Sequence, residues 1–260
     1  RSMGELDNTV VVFLSDNGAS AEGGALGTFN NYGGQADQDF VLEHLDEIGS
    51  PTSYNHYPIG WANAGNTPFP WYKMFTYSGG VKDPMIIRYP KLAKDVGAIR
   101  SQYHHVSDIT PTMLDIIGVD KPEEINGVKQ KPFSGISFKY TLEEPDAVDR
   151  KHVQYYEMLG NRAIYKDGWK AIVNHSQNRS GGRFEDDEWE LYHVQKDYSE
   201  NTDVAKEYPQ KVKELEKLWY IEAARAGVFP MLSGTLYGSP EQAQSLIEHV
   251  VKHERFEEYR

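Results

Sequence analysis

The stretch "VVVFLSDNGAS", residues 10–20, joins a short apolar run to an abrupt polar end. Residues 10–14 are rich in β-branched side chains and do not alternate with polar ones, which predicts a central parallel strand covered on both faces. In open α/β sheets, ligands bind beyond the carboxyl ends of such strands, and Asp16 and Asn17 follow at that point. An Asp-Asn-Gly turn would explain the same residues, so this stretch alone supports a turn and a site equally.

Composition restricts the functions that the chain can have. It has 260 residues and a formal net charge of −12. This acidic balance argues against non-specific binding to nucleic acid or to anionic membranes. The sequence contains no run of about 18 apolar residues, so it predicts no membrane-spanning helix. Cysteine is absent, which excludes disulfides, cysteine-ligated metal centres and a thiol nucleophile.

The residues before 150 are typical of an α/β domain with long connections. Residues 18–68 are rich in glycine, asparagine and proline, and a connection of that length is usually functional. The predicted elements are a helix near residues 39–48, a strand at 85–88, a helix at 106–117 that begins near Asp108 and ends at Gly118, and a third short apolar segment at 135–142.

The pattern changes at about residue 150. Four short segments, residues 152–158, 162–167, 169–175 and 189–194, predict an antiparallel meander. A helix follows over residues 209–226, with Gly227 as its end. We therefore predict three parts: residues 1–149, a small α+β subdomain at 150–230, and a tail at 231–260 with one weak helix. The acidic run "FEDDEWE", residues 184–190, is predicted to be a solvated hairpin tip.

Lys73 is a candidate anion ligand. An ammonium group is a compact cation that suits a negatively charged oxygen. Gly79 and Gly80 follow six and seven residues later, and glycines permit close backbone approach or a positive φ. Asp16 and Asn17 offer hard oxygen donors, which suit Ca²⁺ or Mg²⁺ better than zinc.

Together these motifs resemble the C-terminal half of sulfatases of the alkaline phosphatase superfamily. The matching pieces are "SDNG", "YKMFTYSGGVKDPMIIRYP", "HHVSDITPTMLDIIGV", "GNRAIYKDGWKAI" and "WELYHVQKDYSE", in family order from residue 9 to about residue 228. The long connection before Lys73 is most similar to bacterial arylsulfatases. The resemblance implies the C-terminal portion of an alkaline-phosphatase-like α/β domain over residues 1–149, followed by the small α+β subdomain.

The resemblance also implies roles for three residues. Asp16 and Asn17 would complete the coordination of a calcium ion, with Mg²⁺ as an alternative, and Lys73 would bind the sulfate group. The substrate would be a sulfate-ester small molecule or a sulfated glycan, with no nucleic acid partner. In the family the nucleophile is a formylglycine made within a Cys/Ser-x-Pro-Ser-Arg motif. This chain lacks that motif, so we expect a fragment that supplies metal and sulfate ligands but no catalytic nucleophile.

Two alternative functions remain open from the sequence. One is a phosphodiesterase or phosphonate hydrolase of the same superfamily, although Asn17 stands where two-zinc members usually have histidine. The other is a degenerate, non-catalytic binding module. The chain also departs from many sulfatases at Ser78, which replaces a glutamate before the Gly-Gly pair.

Several other side chains have a plain structural explanation beside a functional one. We expect His104 and His105 to serve loop conformation or packing, and His56 to lie at the surface. Four aromatic residues, Tyr54, Tyr57, Trp61 and Trp71, suit a substrate pocket and loop packing equally.

Overall fold

The computed structural model describes residues 3–30, 37–175 and 184–231. The strands are β1 (Val11–Leu14), β2 (Thr28–Phe29), β3 (Asn55–His56), β4 (Met85–Arg88), β5 (Glu124–Ile125), β6 (Val128–Lys129), β7 (Val153–Met158), β8 (Asn161–Lys166), β9 (Trp169–Val173) and β10 (Glu190–His193). The helices are α1 (Gln38–Glu43), α2 (Ile59–Asn66), α3 (Ser78–Val81), α4 (Ile109–Ile117), α5 (Lys139–Glu143) and α6 (Pro209–Ala226). The described residues form two compact units, the first within Arg1–Asp16 and Pro84–Gln154, and the second within Asn17–Asp83 and Tyr155–Arg260. The predicted limits of the three parts stay a prediction.

In the first unit, β1 pairs with β4, and the pairing corrects one prediction. The two strands are antiparallel, with Phe13 opposite Ile86, and β4 is the one neighbour of β1 among the described residues. Phe13 is 71% exposed. The prediction of a parallel strand covered on both faces is therefore wrong for the part of the chain described. An apolar run reports what a strand tends to bury, but not the direction of its neighbour.

The predicted helix of the first unit is confirmed in place. A turn of 3₁₀ helix, Val106–Asp108, leads into α4, which ends at Gly118 in the left-handed conformation with φ of 69°. The segment at 135–142 contributes its second half to α5 rather than to a strand. Gly135 is required there, because a Cβ atom would lie 2.1 Å from the carbonyl oxygen of Ser107.

The second unit contains the predicted meander. Its four strands lie in the order β10-β9-β8-β7, and β9 is antiparallel to both β8 and β10. Helix α6 packs on β8 and β9 and buries Leu215, Trp219 and Ala223. The indole N–H of Trp219 donates to the carbonyl oxygen of Tyr156 at 3.0 Å. The four-stranded sheet and its helix therefore confirm the predicted α+β architecture.

The acidic run of residues 184–190 is solvated only in part, because Glu185, Asp186 and Glu188 are exposed whereas two other carboxylates are held by hydrogen bonds. Asp187 is buried and accepts a hydrogen bond from the Arg162 guanidinium at 2.5 Å. Glu190 accepts from the hydroxyls of Tyr77 and Tyr192, both at 2.6 Å. The prediction missed these two carboxylates because a run of like charges says nothing about cations and hydroxyls far away in sequence. The weak tail helix lies outside the described residues.

Short helices occur in the described residues 37–54 between β2 and β3. The predicted helix near residues 39–48 appears as α1 and a 3₁₀ turn, Leu45–Glu47. Asp37 caps α1, because its side chain accepts from the backbone N–H groups of Asp39 and Phe40. No helix in the described part of the chain is long and apolar enough to span a bilayer.

Candidate functional site

The segment after β1 is held by direct backbone contact with the Gly-Gly pair. The N–H of Gly18 donates to the carbonyl oxygen of Gly80 at 3.1 Å. A Cβ atom on Gly18 would lie 1.7 Å from the carbonyl oxygen of Gly79, so only glycine fits there. The side-chain amide of Asn17 donates to the carbonyl oxygen of Gly18 at 3.0 Å. Asn17 is half-buried, and Asp16 is exposed.

Lys73 lies in a loop that is tied to the same segment. Its backbone N–H donates to the carbonyl oxygen of Ala19 at 3.1 Å. Asn66 bridges the two pieces of chain, because its Oδ1 accepts from the N–H of Ala19 and its Nδ2 donates to the carbonyl oxygen of Trp71, both at 3.0 Å. The structure thus places Asn17 and Lys73 on two directly bonded segments. Asn66 carried no signal in the sequence.

The Lys73 loop is anchored in the core of the second unit. Phe75 and Tyr77 are buried against Ala163, Ile172 and Tyr192 of the four-stranded sheet. The loop is also bonded to β8, because Thr76 Oγ1 donates to the carbonyl oxygen of Arg162 and Asn161 Nδ2 donates to that of Met74. This packing gives Lys73 a backbone of fixed position.

The Gly-Gly pair works by close approach, which is one of the two possibilities inferred from the sequence. A Cβ atom on Gly79 would lie 2.2 Å from the carbonyl oxygen of Trp71, and one on Gly80 would lie 2.1 Å from that of Phe75. Neither glycine has a positive φ. The two glycines therefore let α3 approach the backbone of Trp71 and Phe75, on either side of Lys73 in the sequence.

Ser78, the departure from the family pattern, has a buried carboxylate as its partner. The N–H and the Oγ of Ser78 both donate to Glu200, each at 2.7 Å. The ammonium of Lys170 donates to the same carboxylate at 2.8 Å. Glu200 and Lys170 are almost fully buried. The short serine thus leaves room for a carboxylate that comes from 122 residues further along the chain.

The side chain of Lys73 meets a carboxylate that the sequence did not single out. Its Nζ donates to Glu22 Oε2 at 2.9 Å, and the two side chains are 33% and 32% exposed. Ser20 Oγ donates to the same oxygen at 3.1 Å, and His56 Nε2 lies 3.9 Å from it. The hydrogen bond from Lys73 lowers the pKa of Glu22 despite the opposing effect of burial. We call Glu22, Lys73, His56 and Ser20 the Lys73 cluster.

The other candidate side chains divide between packing and exposure. Trp71 stacks on Phe75 with ring centroids 4.3 Å apart and belongs to the core. The hydroxyl of Tyr57 accepts from the N–H of Ser20 at 3.0 Å. Tyr54 and Trp61 are exposed.

The two neighbouring histidines serve structure, as expected. His104 packs against Phe138 with ring centroids 4.9 Å apart, and burial lowers its pKa. The ring of His105 accepts from the N–H of Ser107 and caps the turn before α4.

Asp16 and Asn17 match Ca²⁺ in the chemistry of their donors but not in number. A carboxylate and an amide offer hard oxygen ligands. Together they offer at most about three side-chain oxygens, whereas Ca²⁺ takes roughly 6–8. The described residues contain no group of three or more histidine, aspartate or glutamate side chains placed to hold a metal ion. The pair therefore suits part of a calcium coordination sphere.

Comparisons with known proteins point to one family. The sulfatase family model matches residues 1–119, and the model described as "N-sulphoglucosamine sulphohydrolase, C-terminal" matches residues 68–222. An uncharacterized sulfatase of Schizosaccharomyces pombe is 32% identical, over 88% of this chain and 40% of that protein. The N-acetylglucosamine-6-O-sulfatase of Bacteroides thetaiotaomicron is 28% identical, over 83% of this chain and 30% of that protein.

A solved structure shows the same fold. It was determined in complex with its substrate D-glucosamine-2-N,6-O-disulfate and is 23% identical to this chain, with a TM-score of 0.53. The match covers 88% of this chain and 37% of that one. This chain thus spans less than half the length of each of these three proteins.

Proposed function

Because this chain belongs to the sulfatase family, we propose that it forms part of a hydrolase of sulfuric esters in which Lys73 binds the sulfate group. The observation that carries the proposal is the position of Lys73. Its backbone is fixed by the core and by the segment that follows β1, and its ammonium remains about one-third exposed. A cation held in this way can meet an anionic group from solvent without reorganising the loop.

Lys73 acts by differential stabilisation of charge. A sulfate monoester carries one negative charge spread over its oxygens. Attack at sulfur moves charge towards the leaving oxygen and the equatorial oxygens. An ammonium already oriented towards those oxygens stabilises the transition state more than the ground state, and this difference accelerates the reaction.

We assign the metal to Asp16 and Asn17. Their carboxylate and amide oxygens would hold part of the coordination sphere of Ca²⁺, or of Mg²⁺ in its place. When bound, the cation would supply positive charge beside the sulfate group. Within this chain, the contact of Gly18 with Gly79 and Gly80 keeps Asn17 next to the loop that carries Lys73.

The substrate class that we propose is sulfated sugars. The support comes from the relatives, which include the N-acetylglucosamine-6-O-sulfatase and an N-acetylgalactosamine-6-O-sulfatase of the same Bacteroides species, the latter 26% identical. Lys73 itself would contact only the sulfate group, so it would serve any sulfate ester. Residues outside the Lys73 cluster would then distinguish one sugar from another.

The test is the Lys73→Ala substitution in a longer protein that includes this chain and hydrolyses an aryl sulfate. We expect kcat/KM to fall by about 10²–10³-fold, the range for loss of one preorganised charge-stabilising group. The melting temperature should stay unchanged, because the ammonium lies at the surface of the loop. Lys73→Arg should not restore the rate, since a planar guanidinium cannot replace a compact ammonium.

Lys166→Ala is the matched control. Lys166 also pairs with a glutamate, Glu214, at 2.7 Å on an exposed surface. The Lys166→Ala variant should leave kcat/KM unchanged. A Lys73→Ala protein within about threefold of wild type, at equal stability, would remove Lys73 from the sulfate site; that threshold lies far below the expected loss.

A further inference from the structure

Glu22 places a negative charge where the proposed substrate must bind. Its Oε2 receives the ammonium of Lys73 at 2.9 Å and the hydroxyl of Ser20 at 3.1 Å. The ring of His56 lies 3.9 Å from the same oxygen. One carboxylate oxygen therefore gathers the polar groups of the Lys73 cluster. An anion that reaches Lys73 approaches this carboxylate as well.

The carboxylate is ionised when Lys73 is charged. The hydrogen bond from Lys73 is the largest of the effects on Glu22 and lowers its pKa, and the nearby His56 acts in the same direction. Ser20 also donates to it, and the N–H of Glu22 in turn donates to Ser20 Oγ at 3.3 Å, which fixes the turn. Glu22 thus neutralises Lys73 in the absence of substrate and holds the ammonium in place.

Hydrolysis changes the charge of the group that sits beside Glu22. A sulfate monoester, R–O–SO₃⁻, carries one negative charge. Its reaction with water yields the alcohol, a proton and inorganic sulfate, which is a dianion near neutral pH. The repulsion between two charges grows with their product. Glu22 therefore repels the product about twice as strongly, in energy, as it repels the substrate.

We propose that Glu22 discriminates between substrate and product by charge, weakening the binding of inorganic sulfate at Lys73 more than that of the sulfate monoester. This inference rests on the proposed role of Lys73. It makes Glu22 a specificity-determining residue that favours release of the product. The same carboxylate keeps the Lys73 ammonium oriented between turnovers.

The test compares two anions of different charge on the same site. Inorganic sulfate and methyl sulfate are titrated into the wild-type chain and into Glu22→Gln, with side-chain NMR signals of the lysines as the readout. Glutamine keeps the shape of the side chain and an oxygen that can accept from Lys73, so the variant removes charge alone. We expect methyl sulfate to bind about threefold more tightly to the variant, and sulfate about tenfold, because the second factor is the square of the first.

Two further measurements separate a charge effect from a structural one. The gains should shrink as the ionic strength rises, since the cluster is partly exposed to solvent. Glu214→Gln, which removes the carboxylate of the exposed Lys166–Glu214 pair, should change neither affinity. A change in folding alone would shift both anions by the same factor.

The outcomes also distinguish this inference from the proposed function. If Lys73→Met leaves the affinity for both anions unchanged, Lys73 is not the sulfate ligand and the proposed function fails with it. A second outcome is that Lys73→Met abolishes binding, while Glu22→Gln raises the affinity for both anions by the same factor or changes neither affinity. The role of Glu22 is then overturned, and that of Lys73 stands. Absence of binding to both wild type and Glu22→Gln also overturns the role of Glu22, because the variant is expected to bind sulfate.

Discussion

Asp108 shows how one buried carboxylate organises a turn, a helix and a distant strand connection. Its side chain accepts from the N–H of His105 at 2.8 Å, from the N–H of Ile136 at 3.0 Å and from the ammonium of Lys151 at 2.7 Å. Both members of the ion pair are almost completely buried. The sequence predicted a helix that begins near Asp108, and α4 begins at the next residue, Ile109. The side chain of Asp108 makes no capping hydrogen bond to α4, because the carboxylate serves these three partners instead.

We predict that Asp108→Asn strongly destabilises the protein. The variant leaves the Lys151 ammonium buried without a counter-charge, which should lower the free energy of unfolding by about 3–5 kcal/mol. Urea unfolding of the variant and of wild type measures this difference. Glu214→Gln is the control, since an exposed pair should contribute less than about 1 kcal/mol. Equal losses in the two variants would mean that burial adds nothing to the Asp108–Lys151 pair.

At the scale of elements, the local sequence predicted individual strands and helices but not the contacts between distant segments. The strands β7 to β10 and helix α6 appear where predicted, because their apolar patterns and end signals, such as Gly227, lie within each element. The antiparallel partner of β1 was missed, because the pairing joins Phe13 to Ile86 and depends on chain path. The contact between Lys73 and Glu22 spans 51 positions and was missed for the same reason.

The loop that runs from Lys73 into α3 depends on Gly79 and Gly80, and Gly79→Ala tests the first of these contacts. A methyl group there would meet two carbonyl oxygens, those of Trp71 and Pro70, at 2.2 and 2.3 Å. The loop must shift to relieve the clash, so we expect a loss of about 1–3 kcal/mol of stability. The affinity of Lys73 for sulfate should weaken with it.

Gly60→Ala provides the comparison for this prediction. Gly60 lies in α2, and a Cβ atom there meets nothing within 4 Å. Alanine should therefore stabilise the helix by about 0.5–1 kcal/mol. Thermal unfolding and sulfate titration of both variants give the answer. A Gly79→Ala protein as stable as Gly60→Ala would show that the loop is not constrained at this contact.

At the scale of the whole molecule, the chain has the fold of the sulfatases that it is similar to, as the motifs implied. The motifs singled out three residues, Asp16, Asn17 and Lys73, and the roles that the resemblance implies for them stay predictions. What they could not supply were the residues around them. Glu22 and Glu200 come from loops without periodicity, and Asn66 is the last residue of α2. Only the folded chain brings these three residues to the Lys73 loop.

We predict that the 260-residue chain by itself binds Ca²⁺ more weakly than about 1 mM, the upper end of the range for protein calcium sites. Asp16 and Asn17 supply too few oxygens to replace the hydration shell of the ion. Calorimetric titration with CaCl₂ measures the affinity, and Asp16→Ala serves as the reference. Micromolar binding that disappears in Asp16→Ala would reveal further ligands within this chain.

The pairing of β2 with β3 has a consequence for how members of a family can diverge. Thr28 lies opposite His56 and Phe29 opposite Asn55. The two ends of the segment between β2 and β3 are therefore adjacent. A closed excursion of this kind can lengthen at small entropic cost, about 0.6 kcal/mol for each doubling. Evolution, or an engineer, can therefore exchange residues 30–54 while His56, in β3, and Glu22, which precedes β2, keep their places beside Lys73.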